Sequence, residues 1–246
     1  MSVLIPVFSE VASLETTVDI LLQALPQEGL EILLLVHRDS IPDCWQLCQR
    51  LAEAHPQVRV HRQLQYPGQG YAYREGIEMA RGDYLLFMNS DLETEPSHAI
   101  RLLTAMQTGD ADIVVGSRWA PGANFDWRSY GLLKWVLNFF VQQFFARLLR
   151  VKVSDLTFAF KIARAHMYRN IIWQGSGHEF VFEAAVKPAL LGFRLSEVPT
   201  QWIGRQEGVS HQPMLRNFRH IRLALSLWAE HWRNPAAFRE RYWKGC

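Results

Sequence analysis

Cysteine is scarce in this chain. Three residues in 246 (Cys44, Cys48 and Cys246) make no disulfide framework, and no Cys/His spacing completes a zinc site. Cys44 and Cys48 stand four apart on a predicted helix, where they read as packing residues. A reducing, cytosolic setting is expected. Long apolar runs are also missing. The longest charge-free apolar stretch lies between Lys134 and Arg147 and holds twelve residues, short of the roughly 20 that span a bilayer. The chain is therefore not expected to cross a membrane unaided. It opens directly on an apolar strand with no leader pattern before it, so no signal peptide is expected. Net charge is small, +2. No internal repeat, low-complexity linker or nucleic-acid motif is visible, and no nucleic-acid partner is expected.

What is present is an ordinary folded composition, 49% hydrophobic and 20% charged, long enough for one α/β domain with appended elements. The small net charge hides an asymmetry. From Pro213 onward seven Arg and Lys face two Glu, a net +5, which leaves −3 for everything before. A basic segment rich in Trp suggests an anionic surface.

Apolar runs at 3–7 and 31–36 predict strands buried on both faces, with further strands near 58–61, 84–88, 112–115, 158–163 and 195–202. Helical spacing predicts helices near 14–24 (capped by Ser13), 44–54, through 76–80, 96–106, 132–149 and 179–191. Strands alternating with helices imply an α/β, doubly wound, mostly parallel sheet. Residues 119–128 read as a loop.

The most informative stretch runs Gly68-Gln69-Gly70-Tyr71-Ala72-Tyr73-Arg74-Glu75-Gly76, then Ala80-Arg81-Gly82-Asp83-Tyr84, then Asn89-Ser90-Asp91-Leu92-Glu93. It reads as glycine turn, helix, tight turn, buried strand, and acidic residues at that strand's carboxyl end. Ligands of open α/β sheets bind outside such strand ends. A carboxylate there can hold a divalent cation against a diphosphate; the plainer alternative is that Asp91 caps the following turn. Gly68 and Gly70 lack the third glycine of a dinucleotide fingerprint.

These segments, with Ile5-Pro6-Val7-Phe8-Ser9-Glu10, Gly116-Ser117-Arg118-Trp119, Val153-Ser154-Asp155-Leu156-Thr157, Glu197-Val198-Pro199 and Arg205-Gln206-Glu207-Gly208-Val209-Ser210, occur in one order. Together they resemble the "IPVYNE", "GLGxAxxxG…ARGDY", "GSRY", "VSDLT", "EVP" and "RxxGxS" motifs of family 2 glycosyltransferases, in particular the polyprenyl- (dolichyl-) phosphate sugar synthases. The resemblance covers about residues 3–210. It implies a GT-A type Rossmann-like fold over 1–212, and the charge and apolar pattern beyond it reads as a basic amphipathic C-terminal tail over 213–246. It also implies an inverting transfer of a sugar from a nucleotide-diphosphate donor to a polyprenyl phosphate, with Mg²⁺ or Mn²⁺ as cofactor.

Carried onto this sequence, the resemblance implies donor-binding roles for Pro6, Phe8, Glu10, Asp39, Gly68, Gly70, Asn89 and Ser90. It implies metal ligation by Asp91 and Glu93, catalytic roles for Asp91, Arg118 and Arg205, and acceptor-phosphate contacts from Arg128, Lys134, Ser210 and His211. Three departures bear on the site. The second strand ends His37-Arg38-Asp39-Ser40 where Asp-Asp-Gly-Ser is usual. Asn89 replaces the first carboxylate of Asp-x-Asp, removing a negative charge from the metal site or supplying an amide hydrogen bond to a ribose or sugar hydroxyl. His211 replaces a lysine.

A lipid phosphate is already ionised and needs no general base, whereas an alcohol acceptor does. No Glu-Asp pair suited to that task is evident, although Glu179, Glu183 and Asp155 are carboxylates nearby in sequence; Asp155 reads as a turn-tying residue. The helix near 132–149 is apolar all round, which means core, a dimer interface or lipid. The tail helix carries Leu215, Phe218, Ile221, Leu225 and Trp228 beside Arg216, Arg219 and Arg222, the pattern of an interfacial helix on anionic lipid or of a solvated face packed on the domain. The expected setting is cytoplasmic, peripheral to the inner face of a membrane. Two alternatives stand beside this reading: transfer to a soluble or lipid alcohol, and an inactive nucleotide-sugar-binding scaffold. The base, the sugar, the lipid length and the oligomeric state are not legible.

Overall fold

The computed structural model describes residues 1–63, 68–204 and 217–245. Its element order is β1 (Ser2–Val7), α1 (Ala12–Ala24), β2 (Glu31–Val36), α2 (Pro42–Ala54), β3 (Val58–Arg62), α3 (Gln69–Met79), β4 (Tyr84–Phe87), a 3₁₀ turn Pro96–His98 leading into α4 (Ala99–Thr108), and β5 (Ile113–Ser117). Then follow β6 (Asn124–Phe125), α5 (Trp127–Tyr130), α6 (Leu132–Leu148), β7 (Lys161–Arg164), α7 (Ala165–Asn170), α8 (Glu179–Leu190), β8 (Leu195–Pro199), β9 (Gln201–Trp202), α9 (Asn217–Arg233) and α10 (Pro235–Tyr242).

Seven strands form the main sheet in the order β3-β2-β1-β4-β7-β5-β8. All neighbours run parallel except β7, which lies antiparallel between β4 and β5. β6 and β9 make a small parallel pair apart from it. Because side chains alternate across a strand, β1 sends Val3, Ile5 and Val7 to one core and Leu4 to the other. β2 divides Ile32, Leu34 and Val36 from Leu33 and Leu35 in the same way. Helices α1, α2 and α4 cover the first face; α3, α6 and α8 cover the second. Each fully buried aliphatic side chain in these layers contributes about 1.5–3 kcal/mol.

Several expectations shift. Ser13 does not cap α1: the cap position is Val11, without a side-chain hydrogen bond, and Ser13 is buried inside the first turn. The strand expected across 195–202 is interrupted at Thr200, whose amide makes a last bond to the main sheet at Ser117 O, 3.0 Å, before Gln201–Trp202 pair with β6 as β9. The segment 119–128 is more than a loop, since it contains β6 and the start of α5. There Asp126 accepts from the Arg128 and Ser129 amides.

The boundary expected at 212/213 falls outside the described residues. The segment beyond it is bound into the domain, because Ala224, Leu227, Phe238 and Tyr242 are buried in the same core as α8. Of the expected face of the tail helix, Leu215, Arg216 and the Phe218 side chain lie outside the described residues. α9 presents Ile221, Ala224 and Leu227 to the core and leaves Leu225, Trp228 and Trp232 exposed. α6 is likewise two-sided: Gln142, Phe145 and Ala146 are buried, while Leu133, Leu137, Phe140 and Phe144 are more than half exposed. No helix among the described residues is long and apolar enough to cross a membrane.

Candidate active site

Strands β2, β1 and β4 are adjacent and parallel, so their carboxyl ends open at one edge of the sheet. A cleft of about 670 Å³ lies there, the location expected for ligands of such sheets. Residues 6–10 after β1, His37 and Asp39 after β2, and Asn89, Ser90 and Asp91 after β4 form one side. Gly68, Gln69, Tyr71 and Ala72 of the glycine turn, with Ser176–Glu179 and the Arg219–His220 end of α9, form the other.

Each wall is held by its own backbone contacts. The Glu10 carboxylate accepts from the Phe8 and Ser9 amides at 2.9 and 3.0 Å, fixing the bend after β1. The Phe8 ring meets His37 edge-on at 5.0 Å and gives the cleft an aromatic surface. Asp39 is exposed beside Arg38 and His37, at 3.6 and 3.9 Å. Burial pushes the His37 imidazole below its usual range, with Arg38 adding to the shift against the opposing pull of Asp39.

The acidic segment is tightly turned. Leu92 adopts φ +54°, a left-handed conformation that a bulky residue holds only under tertiary constraint. This lets the Glu93 amide donate back to Asp91 Oδ1 at 3.2 Å. Asp91, 4% exposed, remains on the cleft lining. Glu93 does not line it: the Trp202 indole donates to its Oε2 at 3.2 Å and its carbonyl accepts from Ile203. Of the Asn89–Glu93 segment, only Asp91 offers a carboxylate to the cleft. Among the described residues no group of three or more His, Cys, Asp or Glu could hold a metal. One carboxylate with a substrate diphosphate is a donor set that suits Mg²⁺ or Mn²⁺.

The glycine turn serves a purpose the sequence did not show. A Cβ on Gly70 would lie 2.6–2.8 Å from backbone atoms of Gly175, Ser176 and Gly177, and Gly68 sits at φ +138° with the Ser176 carbonyl as close. The two loops pack backbone on backbone, and Tyr71 N donates to Ser176 O at 3.3 Å. Two carboxylates of α8 shape the second loop. Glu179 accepts from the Ser176 and Gly177 amides, and Glu183 from those of Gln174 and Gly175. Burial alone would raise the Glu179 carboxyl, but these amide donors outweigh it and lower the pKa. Glu183 is fully buried in an ion pair with Lys187.

Seven of the eight expected donor-binding residues line the cleft; Gly70 packs behind it. Arg118 does not line it. It is 8% exposed and forked onto Asp155, with a further bond to Thr157 at 3.0 Å and its guanidinium 4.5 Å above the Phe158 ring. Arg128 and Lys134 lie outside the cleft on α5 and α6, over the rings of Trp127 and Tyr130. Arg205, Ser210 and His211 are outside the described residues. Sequence reasoning missed Gln69, His178 and His220. The signal for His178 was available: Gly175-Ser176-Gly177 immediately before an apolar helix is a second glycine turn. Burial, then the nearby His220, lowers the His178 pKa to about 3.

A sequence model of glycosyl transferase family 2 matches residues 2–172, and the chain belongs to that family: it is a glycosyltransferase. It is 30% identical over 216 residues to an undecaprenyl-phosphate mannosyltransferase of Micrococcus luteus, covering 84% of this chain and 85% of the relative. To the glycosyltransferase AglD of Haloferax volcanii it is 27% identical, over 82% of this chain and 33% of that one. To a dolichol-phosphate mannosyltransferase of Pyrococcus furiosus it is 33% identical, over 53% and 36%. The chain thus spans about a third of the length of the latter two. The fold matches glucosyl-3-phosphoglycerate synthase from Mycobacterium tuberculosis, crystallised with Mn²⁺, UDP-glucose and glycerol 3-phosphate. The TM-score is 0.67 at 16% identity, over 92% of this chain and 77% of that one. The chain has the GT-A type α/β architecture.

Proposed function

We propose that the cleft binds a nucleotide-diphosphate sugar and that the enzyme transfers the sugar, with inversion, to a polyprenyl phosphate at the inner face of a membrane. The observation that carries this is Asp91, brought to the lining of a cleft at the carboxyl ends of β1, β2 and β4. In the reaction an acceptor phosphate oxygen attacks the anomeric carbon while the bond to the β-phosphate oxygen breaks, and the nucleoside diphosphate leaves with the electron pair. Asp91 would hold Mg²⁺ or Mn²⁺, which when bound offsets the charge on the leaving diphosphate.

The state of the other carboxylates favours an acceptor that needs no base. Glu183 is paired with Lys187, Asp155 with Arg118, and Glu179 is engaged by backbone amides. The acceptor class follows the two relatives named for undecaprenyl and dolichol phosphate. The exposed apolar face of α6, Leu133, Leu137, Phe140 and Phe144, with Trp127 close to its start, suits contact with lipid.

The test is a panel of nucleotide sugars, with Mg²⁺ or Mn²⁺, with and without a short polyprenyl phosphate. Release of one nucleoside diphosphate that depends on the lipid phosphate is the expected result. Turnover with an alcohol acceptor but not the lipid phosphate would overturn the acceptor, and nucleotide binding without turnover under any condition would overturn the activity.

A further inference from the structure

Gln69, the first residue of α3, has both ends of its amide engaged. Its Nε2 donates to Asn89 Oδ1 at 3.1 Å, and its Oε1 accepts from His178 Nδ1 at 2.7 Å. The Tyr73 hydroxyl adds a longer contact to the same Asn89 oxygen, 3.4 Å, while also reaching Met88 O at 3.3 Å. The firm donor to the Asn89 side-chain oxygen is therefore Gln69, while the single Tyr73 proton is divided between that oxygen and Met88 O. What Asn89 has left for the cleft is its Nδ2 with two N–H groups. Burial keeps the His178 imidazole neutral, so with Nδ1–H given to Gln69 its tautomer is set.

Asn89 and Gln69 are also the positions where this chain reads Asn for Asp in Asp-x-Asp and Gln for Leu in "GLGxAxxxG". A leucine at 69 could make neither hydrogen bond, and a carboxylate at 89 would turn its second oxygen toward the cleft.

We infer that Asn89 is a specificity-determining residue and Gln69 a positioning residue acting through it. Held by the Gln69–His178 relay, Asn89 presents N–H donors to a hydrogen-bond-accepting oxygen of the bound nucleotide sugar in place of a metal-ligating carboxylate. The inference rests on reading the cleft as the donor site. It assigns cation ligation by this segment to Asp91 alone.

The experiment uses the full chain, with binding of UDP, GDP, ADP and dTDP followed by calorimetry and Mn²⁺ binding followed by electron paramagnetic resonance. Asn89→Asp should tighten Mn²⁺ in the presence of the bound nucleotide by about tenfold or more, because one oxygen stays on Gln69 while the other joins Asp91. Gln69→Leu should weaken nucleotide binding about fivefold, the loss expected for one hydrogen bond. The same substitution should have no effect in an Asn89→Ala background. Equal losses from Gln69→Leu in both backgrounds would overturn the positioning role, and unchanged Mn²⁺ affinity in Asn89→Asp would overturn the specificity role. Failure of the unsubstituted chain to bind any of the four nucleotides would instead overturn the donor-site reading, and this inference with it.

Discussion

Arg118 and Asp155 meet edge to edge, Nε to Oδ2 at 2.7 Å and Nη2 to Oδ1 at 2.8 Å, and the Arg118 amide donates to the same carboxylate at 3.1 Å. Asp155 is fully buried. Removing one partner strands a buried charge, which costs about 3–5 kcal/mol. Arg118→Met should therefore lower the urea midpoint sharply, and the double substitution Arg118→Met/Asp155→Leu should recover most of the loss. A phosphate-binding arginine would behave differently: Arg118→Met would raise the donor KM at unchanged stability. Urea titrations beside steady-state kinetics separate the two.

Asp91→Asn keeps the side-chain shape and an oxygen for the Glu93 amide but removes the charge. Turnover should fall by about 100-fold or more, in the range for loss of one electrostatic contribution to the transition state. Melting temperature should move by only a few degrees. Activity within a factor of a few of the parent would remove Asp91 from the chemistry.

The exposed face of α6 invites a surface test. Leu137→Ser, Phe140→Ser and Phe144→Ser combined leave the core side of the helix untouched, since those three are 54%, 64% and 60% exposed. Co-sedimentation with anionic vesicles should drop by about tenfold or more, with an unchanged circular dichroism spectrum. Equal sedimentation by parent and variant would place membrane contact elsewhere.

Lys161 gives a pH-dependent prediction. It is 1% exposed on β7, its Nζ donates to Val181 O at 2.7 Å, and burial lowers its pKa to about 7. Between pH 7 and about 10 the unfolded chain holds this proton and the folded chain does not, so stability attributable to Lys161 rises with pH across that window. Compared with Lys161→Met, the parent should gain melting temperature from pH 7 to pH 10. A difference that stays constant over the same range would show that Lys161 is charged in the folded state.

The parts of this molecule that could be read from the sequence are those written locally. The strand at 3–7 is a continuous apolar run and that at 31–36 is apolar after Glu31, and Asn89–Asp91 falls at a strand end because Leu85–Met88 is apolar up to that point. What could not be read depends on partners far along the chain. Glu93 reads as a second metal ligand after Asp91, but the Trp202 indole engages its carboxylate outside the cleft. Arg118 reads as catalytic from its own motif, but Asp155, which takes up its guanidinium, lies in another motif. The segment near 158–163 was recognisable as a strand, but nothing in it gave the antiparallel direction of β7, which is set by its neighbours. Gly68 and Gly70 both read as donor-binding in the sequence, whereas the close backbone of Gly175–Gly177 shows that Gly70 faces another loop.

The position of β7 bears on how the chain assembles. β4 carries the residues that end in Asp91, and its free edge is paired by β7, which enters only after β5, α5 and α6 have been made. During synthesis, a chain released as far as α6 would hold the whole Asn89–Asp91 segment beside an uncapped backbone edge. Such an edge readily pairs with another chain. Emergence of Lys161–Arg164 both seals that edge and bridges β4 to β5, so the half of the sheet that carries the cleft is shielded from self-association only once the half that follows has begun to fold.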